Sequence, residues 1–341
     1  MDRMLPWKAD RDPYKIWVSE IILQQTRVDQ GTPYYLRFIS RFPTLESLAN
    51  AEEDQLLLIW QGLGYYSRAR NMHATAKYIM EELNATFPDH YKDLLKLKGV
   101  GPYTAAAISS FAFDEPRAVV DGNVIRVLSR IFAINAPFDS SKGKKIFSNL
   151  ADELIDLKKP AAFNQAIMDF GALRCTPKNP DCAFCPFDKV CEAKKLNEIE
   201  SFPVKTKKAK KKERFFHYLV LKDPKNKTLI HKRNNSDIWK GLYEFPLIVS
   251  DEEKSKLKLK NDFKKEVSFL TGMNSFILEE EHTFKQSLSH QIIYSKFFII
   301  SLKEPIYRLP DEFNLVDYEN LCNFAFPKSI NRFIEEKLIP L

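Results

Sequence analysis

Long apolar runs are missing from this chain of 341 residues. Stretches such as FFII, Phe297 to Ile300, fall far short of the roughly 20 residues that a bilayer-crossing helix needs, so no membrane span is expected. The amino-terminal MDRMLPWKADRDPYK mixes acids, bases and a proline, without the basic, apolar and small-residue order of a secretory signal. An intracellular, cytoplasmic protein is expected. There is no internal repeat, and the one low-complexity tract is a run of lysines. Cysteine is also sparse: four of the five crowd between Cys175 and Cys191, while Cys322 stands alone. In a reducing compartment such crowding points to metal or cluster ligation rather than disulfides.

What is present suffices for a large core. The chain is 44% hydrophobic and long enough for two domains. Its net charge of +7 favours polyanions such as nucleic acid or anionic lipid, although a solvated basic surface without a partner fits the same figure. From Pro13 to about Leu196 the text is helical, with apolar-periodic segments such as LLLIWQGLGYYSRARNMHATAKYIMEEL. These are punctuated by Gly62, Gly64, Pro88, Gly99, Gly101 and Pro116. Ser201 to Arg214, SFPVKTKKAKKKER, is dominated by Lys205, Lys207, Lys208, Lys210, Lys211, Lys212 and Arg214. It leaves little to bury and reads as a basic linker, either touching a phosphate backbone or spacing two domains. After Arg214 come short β-branched and aromatic runs, FFHYLVL, KTLIHKR, GLYEFPLIV and HQIIYSKFFIISL, which suggest a smaller sheet-containing domain. The expected organisation is α+β and multidomain: a helical domain over 1–200, a linker over 201–214 and a second domain over 215–341.

Several motifs carry chemistry. Cys175, Cys182, Cys185 and Cys191 follow the spacing C-x6-C-x2-C-x5-C, and four thiolates so placed can wrap an iron–sulfur cubane. A structural zinc competes, but zinc sites typically pair two short-spaced couples and here there is one. LLKLKGVGPYTAAAISSF, Leu94 to Phe111, reads as helix, Gly-Val-Gly turn, helix. Gly99 and Gly101 allow close backbone approach, and Pro102 suits the first turn of a helix whose amides face a phosphate. In AVVDGNVIRVLSRIF, Asp121 follows an apolar segment and leads a helix, the usual place of an N-cap. In WVSEIILQQT, Glu20 stands among Trp17, Val18, Ile21, Ile22 and Leu23. Desolvation there raises its pKa and suits it to proton donation; a structural pair with an arginine is the alternative.

The segments LPWKADRDPYKIWVSEIILQQT, GLGYYSRARNMH, LKGVGPYTAAA, VDGNVIRVLSR, FNQAIMDFGALRCTPKNPDCAFCP and GLYEFP together resemble the MutY family of adenine DNA glycosylases. That family belongs to the helix-hairpin-helix, endonuclease III superfamily. The resemblance extends over nearly the whole helical region and more weakly beyond it. It implies an all-α domain with a 4Fe-4S cluster on the four cysteines, followed by a Nudix-like α/β domain. It implies a nucleoid-associated monomer whose partner is double-stranded DNA carrying adenine opposite 8-oxoguanine. Glu20 would protonate adenine at N7, and Asp121 would stabilise the sugar cation, through space or as a transient covalent partner. Tyr103 and Asn123 would hydrogen-bond around the two carboxylates. Tyr103 also stands where lyase-type relatives carry a nucleophilic lysine, so a monofunctional glycosylase using water is expected rather than a lyase.

The same resemblance assigns Trp7 and Gln165 to the adenine pocket. Gln25, Thr26, Leu63 and Tyr65 would wedge the duplex and read 8-oxoguanine; without the resemblance, Leu63 and Tyr65 read as helix core. In the second domain GLYEFPLIVSDEEKSKLKLK lacks the R-E-x-x-E-E arrangement of a working Nudix hydrolase. Where the family has a Phe-Ser-His turn, HTFKQSLSHQ offers Leu288, Ser289 and His290; Ser289 and His290 are expected to donate to a base edge. Family members usually have a further helix ahead of the LPW segment, which here starts only a few residues after Met1; either that helix is missing or the start site was misassigned.

Overall fold

The computed structural model describes residues 5–7, 11–206, 211–234, 237–250 and 256–339. The chain divides into two compact units, Met1–Asn50 with Asn71–Lys208, and Ala51–Arg70 with Ala209–Leu341. Helices α1 (Pro13–Leu23), α2 (Val28–Arg41), α3 (Leu45–Ala49), α4 (Glu53–Trp60), α5 (Ser67–Glu82) and α6 (Tyr91–Leu94) come first. They are followed by α7 (Pro102–Phe113), α8 (Gly122–Ile131), α9 (Ser141–Leu154), α10 (Pro160–Leu173) and α11 (Glu192–Lys195). Among the described residues no helix is long and apolar enough to cross a membrane.

In the first unit α1 starts where Asp12 accepts the Tyr14 N–H at 2.9 Å and Pro13 supplies a preset φ. Trp17, Val18 and Ile22 are fully buried, so the helix is apolar almost all round and belongs inside. It packs on α7, where the small residues Thr104, Ala105, Ala106 and Ala107 are all buried and let two helices approach closely. Ahead of α7 the chain turns at Gly99, whose φ is +80°. A Cβ there would stand 2.7 Å from the Asn71 Cβ, so both conformation and space demand glycine. The close packing of α8 on α10 rests on Gly171, where a Cβ would lie 2.8 Å from the Asn123 Cβ and 2.9 Å from its carbonyl oxygen.

The residues expected to form a basic linker are tied down at their start. Phe202 is buried, the Phe138 N–H donates to the Val204 carbonyl at 3.0 Å, and the Thr206 N–H donates to Asp139 at 2.9 Å. Lys207, Lys208 and Lys210 lie outside the described residues. Lys212 and Arg214 already belong to the first strand of the second unit.

That unit contains β1 (Lys212–Lys222), β2 (Lys227–Lys232), β3 (Tyr243–Glu244), β4 (Leu247–Ser250), α12 (Lys256–Thr271), β5 (Ile277–Ser287), β6 (Gln291–Ser301), β7 (Phe313–Asp317) and α13 (Lys328–Phe333). One sheet has the order β4-β1-β6-β5, with β1 and β6 parallel and the other pairs antiparallel; β3-β2-β7 forms a second, antiparallel sheet. Strand alternation sorts β1 into two cores. Phe216, Tyr218 and Val220 meet Phe297 and Phe333 on one face, while Leu219 and Leu221 meet Phe263, Val267 and Leu270 of α12 on the other. With both faces covered, the strand reads as a continuous apolar run.

Candidate active site

A cavity of about 800 Å³ opens in the first unit. Its walls come from α1, the turn after it, the start of α7, the extended segment ahead of α8, and α10. Glu20 faces this cavity yet is only 6% exposed. The Tyr103 hydroxyl donates to Glu20 Oε2 at 2.6 Å. Burial pushes the Glu20 carboxyl up to about 7, the Tyr103 bond opposing and the charge of Asp121 adding to the rise. Fully buried Trp17, Val18 and Ile22 on the same helix each contribute roughly 1.5–3 kcal/mol, so α1 sustains one desolvated carboxyl without leaving the core.

Asp121 is the N-cap of α8 and also lines the cavity. Its Oδ1 accepts the Val124 N–H at 2.7 Å and its Oδ2 accepts Asn123 Nδ2 at 2.7 Å. Burial raises this carboxyl too, but the bonds from Val124 and Asn123 and the charge of Arg126 pull against it. The charge of Asp121 is a lesser cause of the rise at Glu20, after burial. Glu20 accepts one hydroxyl bond, whereas Asp121 is held by amide donors and lies in the field of a guanidinium, so the surroundings favour the anion more at Asp121 than at Glu20. The capping place of Asp121 is compatible with a charged role, because a cap is itself a set of donors that favours the anion.

Two residues that support this arrangement escaped the sequence reading. Arg126, buried in α8, donates through Nη2 to Asn123 Oδ1 at 2.9 Å and the Gly171 carbonyl at 2.6 Å, and through Nε to the Cys175 carbonyl at 2.8 Å. Asn164, buried in α10, accepts the Val119 N–H at 3.0 Å and donates to Ser110 Oγ at 2.9 Å and the Arg117 carbonyl at 2.8 Å, fixing the strand-like segment that delivers Asp121. The spacing puts Arg126 and Arg130 on one face of α8, but only the fold shows that both are buried.

The cavity brings together Trp7, Glu20, Gln25, Thr26, Gly101, Tyr103, Asp121, Asn123 and Gln165. Trp7 is buried and stands edge-on to Tyr35, ring centres 5.1 Å apart. Gln25 is exposed with a left-handed φ of 57°. Gly99 lies in the turn just ahead of α7 and does not line the cavity. Leu63, Tyr65, Ser289 and His290 belong to the second unit. Leu63 is only 8% exposed, so it sits in the fold rather than projecting as a wedge. Tyr65 is 48% exposed with φ 49°, and its hydroxyl lies 2.5 Å from Ser289 Oγ. Ser289 and His290 are exposed at the turn between β5 and β6, and the neighbouring Leu288 packs partly against the core.

The cysteine expectation is corrected. Cys175, Cys182, Cys185 and Cys191 border one small cavity beside Arg130. Among the described residues, however, no group of three or more His, Cys, Asp or Glu side chains is arranged to hold a metal ion. The 4Fe-4S cluster, and with it the iron–sulfur and metal-binding character read from the spacing, is not supported. Burial, followed by the neighbouring thiols, raises the Cys182 thiol, and burial raises the Cys185 thiol. Cys175 Sγ accepts from Arg130 Nη1 at 3.4 Å, and Cys191 Sγ donates to the Arg130 carbonyl at 3.4 Å. The loop is thus fastened to α8 by hydrogen bonds.

Residues 18–153 match the HhH-GPD superfamily of base excision DNA repair proteins, and residues 217–336 match the NUDIX domain. The adenine DNA glycosylase of Buchnera aphidicola subsp. Schizaphis graminum is 36% identical over 337 residues, 97% of this chain and 93% of that one. That of Buchnera aphidicola subsp. Baizongia pistaciae is 37% identical over 282 residues, 79% of each chain. Among solved structures, a thermostable thymine-DNA glycosylase superposes with a TM-score of 0.53 at 30% identity, covering 57% of this chain and 89% of that one. A cavity pairing a buried glutamate with a capped aspartate, set beside a helix-hairpin-helix, is therefore found in a chain that belongs to the MutY-related adenine DNA glycosylase family of the HhH-GPD superfamily.

Proposed function

We propose that this protein excises adenine mispaired with 8-oxoguanine, and with guanine, from double-stranded DNA. Its family places it among hydrolases of N-glycosyl bonds that remove adenine in base excision repair. The observation that carries the finer reading is the Tyr103–Glu20 bond of 2.6 Å in a cavity shared with Asp121.

An adenine inside a duplex cannot reach such a cavity, so it is flipped out. Trp7 offers a face to the base and Gln165 an amide edge; both line the cavity. Glu20 passes its proton to adenine N7 while the bond from N9 to C1′ breaks, and the electron pair leaves with the base. Asp121, whose anionic form is favoured by Val124, Asn123 and Arg126 against the effect of burial, stabilises the oxocarbenium character left on the sugar. Water adds at C1′, and its proton restores Glu20. Tyr103, at the position where lyase-type relatives carry a lysine, donates to Glu20, which supports hydrolysis over a Schiff-base lyase route. In the first unit Gln25 and Thr26 supply hydrogen-bonding groups for the opposite base, and the open first turn of α7 after Gly101 supplies amides for phosphate; in the second unit Tyr65, Ser289 and His290 offer groups able to stack on or bond to a base.

The test is adenine release from a duplex with one adenine:8-oxoguanine mispair. Glu20→Gln is expected to lose a factor of about 10²–10⁴, without strand scission by either form. Full activity in that variant would remove the assigned proton donor.

A further inference from the structure

Helix α1 ends at Leu23, and the chain then turns through Gln24 and Gln25. Gln25 takes a φ of 57°, a left-handed backbone that residues bearing side chains rarely adopt. The turn is closed locally by the Thr26 N–H on the Leu23 carbonyl at 3.1 Å and by Thr26 Oγ1 on the Gln24 carbonyl at 3.4 Å. It is also anchored from outside, because Gln24 Nε2 donates to Thr104 Oγ1 at 3.1 Å. Thr104 is buried in the first turn of α7. Gln24 lies four residues beyond Glu20, on the same face of the helix, and Thr104 follows Tyr103 in sequence. The pairs Glu20–Tyr103 and Gln24–Thr104 are thus successive rungs between the same two helices. The first rung sets the chemistry; the second has no chemical duty in it.

We propose that Gln24 is a positioning residue for base reading: through Thr104 it fixes the left-handed turn that presents Gln25 and Thr26 to the nucleotide opposite the excised adenine. The inference rests on the function proposed above. It gives a physical reason for a polar amide aimed at a buried hydroxyl when solvent lies close by. It also joins the reading segment to α7, whose open first turn suits phosphate, so that backbone grip and base reading share one rigid element.

The full chain is compared with Gln24→Leu, Thr104→Val and Thr104→Ser on duplexes carrying adenine opposite 8-oxoguanine or opposite guanine, measuring affinity and the saturating single-turnover rate. The wild-type chain is expected to prefer 8-oxoguanine. Gln24→Leu and Thr104→Val are expected to cut that preference about fivefold, the scale of one net hydrogen bond, mainly through affinity, with the saturating rate falling less. Thr104→Ser keeps the hydroxyl and is expected to retain the preference. Preference undiminished in Gln24→Leu and Thr104→Val overturns the inference, as does a proportional loss on both duplexes or a Thr104→Ser as impaired as Thr104→Val. A wild-type chain that releases no adenine overturns the proposed function itself, and this inference with it; variants that match an active wild type overturn the inference alone.

Discussion

Glu20 holds its proton to about 7 because burial outweighs the hydrogen bond from Tyr103. Adenine release by the proposed route needs that proton. The single-turnover rate should therefore fall about tenfold per unit as pH rises beyond 7, and a rate flat from pH 6 to 9 would count against Glu20 as the acid. Stability shares the same origin. In the unfolded chain this carboxyl loses its proton near 4.5, whereas the folded chain keeps it to about 7. Between those values the folded state binds more protons, so stability falls as pH rises, by about 3 kcal/mol across the window. Glu20→Gln carries no charge to bury. It should melt above the wild type at pH 8 and near it at pH 4, and equal melting at pH 8 would show that Glu20 is not desolvated. The residue was legible because WVSEIIL surrounds one acid with apolar neighbours. Arg126 was not, since an arginine on a helix ordinarily extends to water and only the fold reveals Asn123, Gly171 and Cys175 around it. The cysteines mislead in the opposite sense: their spacing brings all four to one small cavity, but spacing does not fix the arrangement that a metal needs.

At the scale of elements the active site depends on how closely α8 and α10 approach. Gly171 permits the contact with Asn123, and the atoms a methyl group would meet include backbone, which yields less readily than a side chain. Gly171→Ala should destabilise the chain by about 1–3 kcal/mol and slow adenine release by moving Asn123 away from Asp121. Urea unfolding and the release rate, measured together, check this; loss of neither would mean that the helices shift without consequence. The helix-hairpin-helix and the Asp121 cap could be read from GVGPYT and VVDGNV, because glycine, proline and capping residues act locally. β1 was similarly visible as a strand in the aromatic and β-branched run FFHYLVL. The pairing of Tyr65 with Ser289 was not, as no local preference links residues separated by 224 positions.

Across the whole molecule, residues 51–70 precede most of the first unit in sequence yet belong to the second. Asp54 accepts from the Tyr243 hydroxyl at 2.9 Å. The amide of Gln61 donates to Asn331 at 2.7 Å and accepts the Phe326 N–H at 2.8 Å, and Tyr65 meets Ser289. The carboxylate pair, by contrast, lies in the first unit. Deleting 209–341 should leave adenine release from a guanine mispair measurable, while the advantage of 8-oxoguanine over guanine falls about tenfold, the scale of one or two lost hydrogen bonds. An unchanged ratio would remove the second unit from base discrimination.

Membership of Ala51–Arg70 in the second unit also dictates how this enzyme could be recombined with its relatives. A hybrid spliced only at the carboxyl-terminal boundary would join a foreign domain to a native Asp54, Gln61 and Tyr65 whose counterparts are gone. Exchanging the two separate stretches as one inheritance keeps every such pair intact, so the functional cassette is discontinuous in the gene although continuous in space.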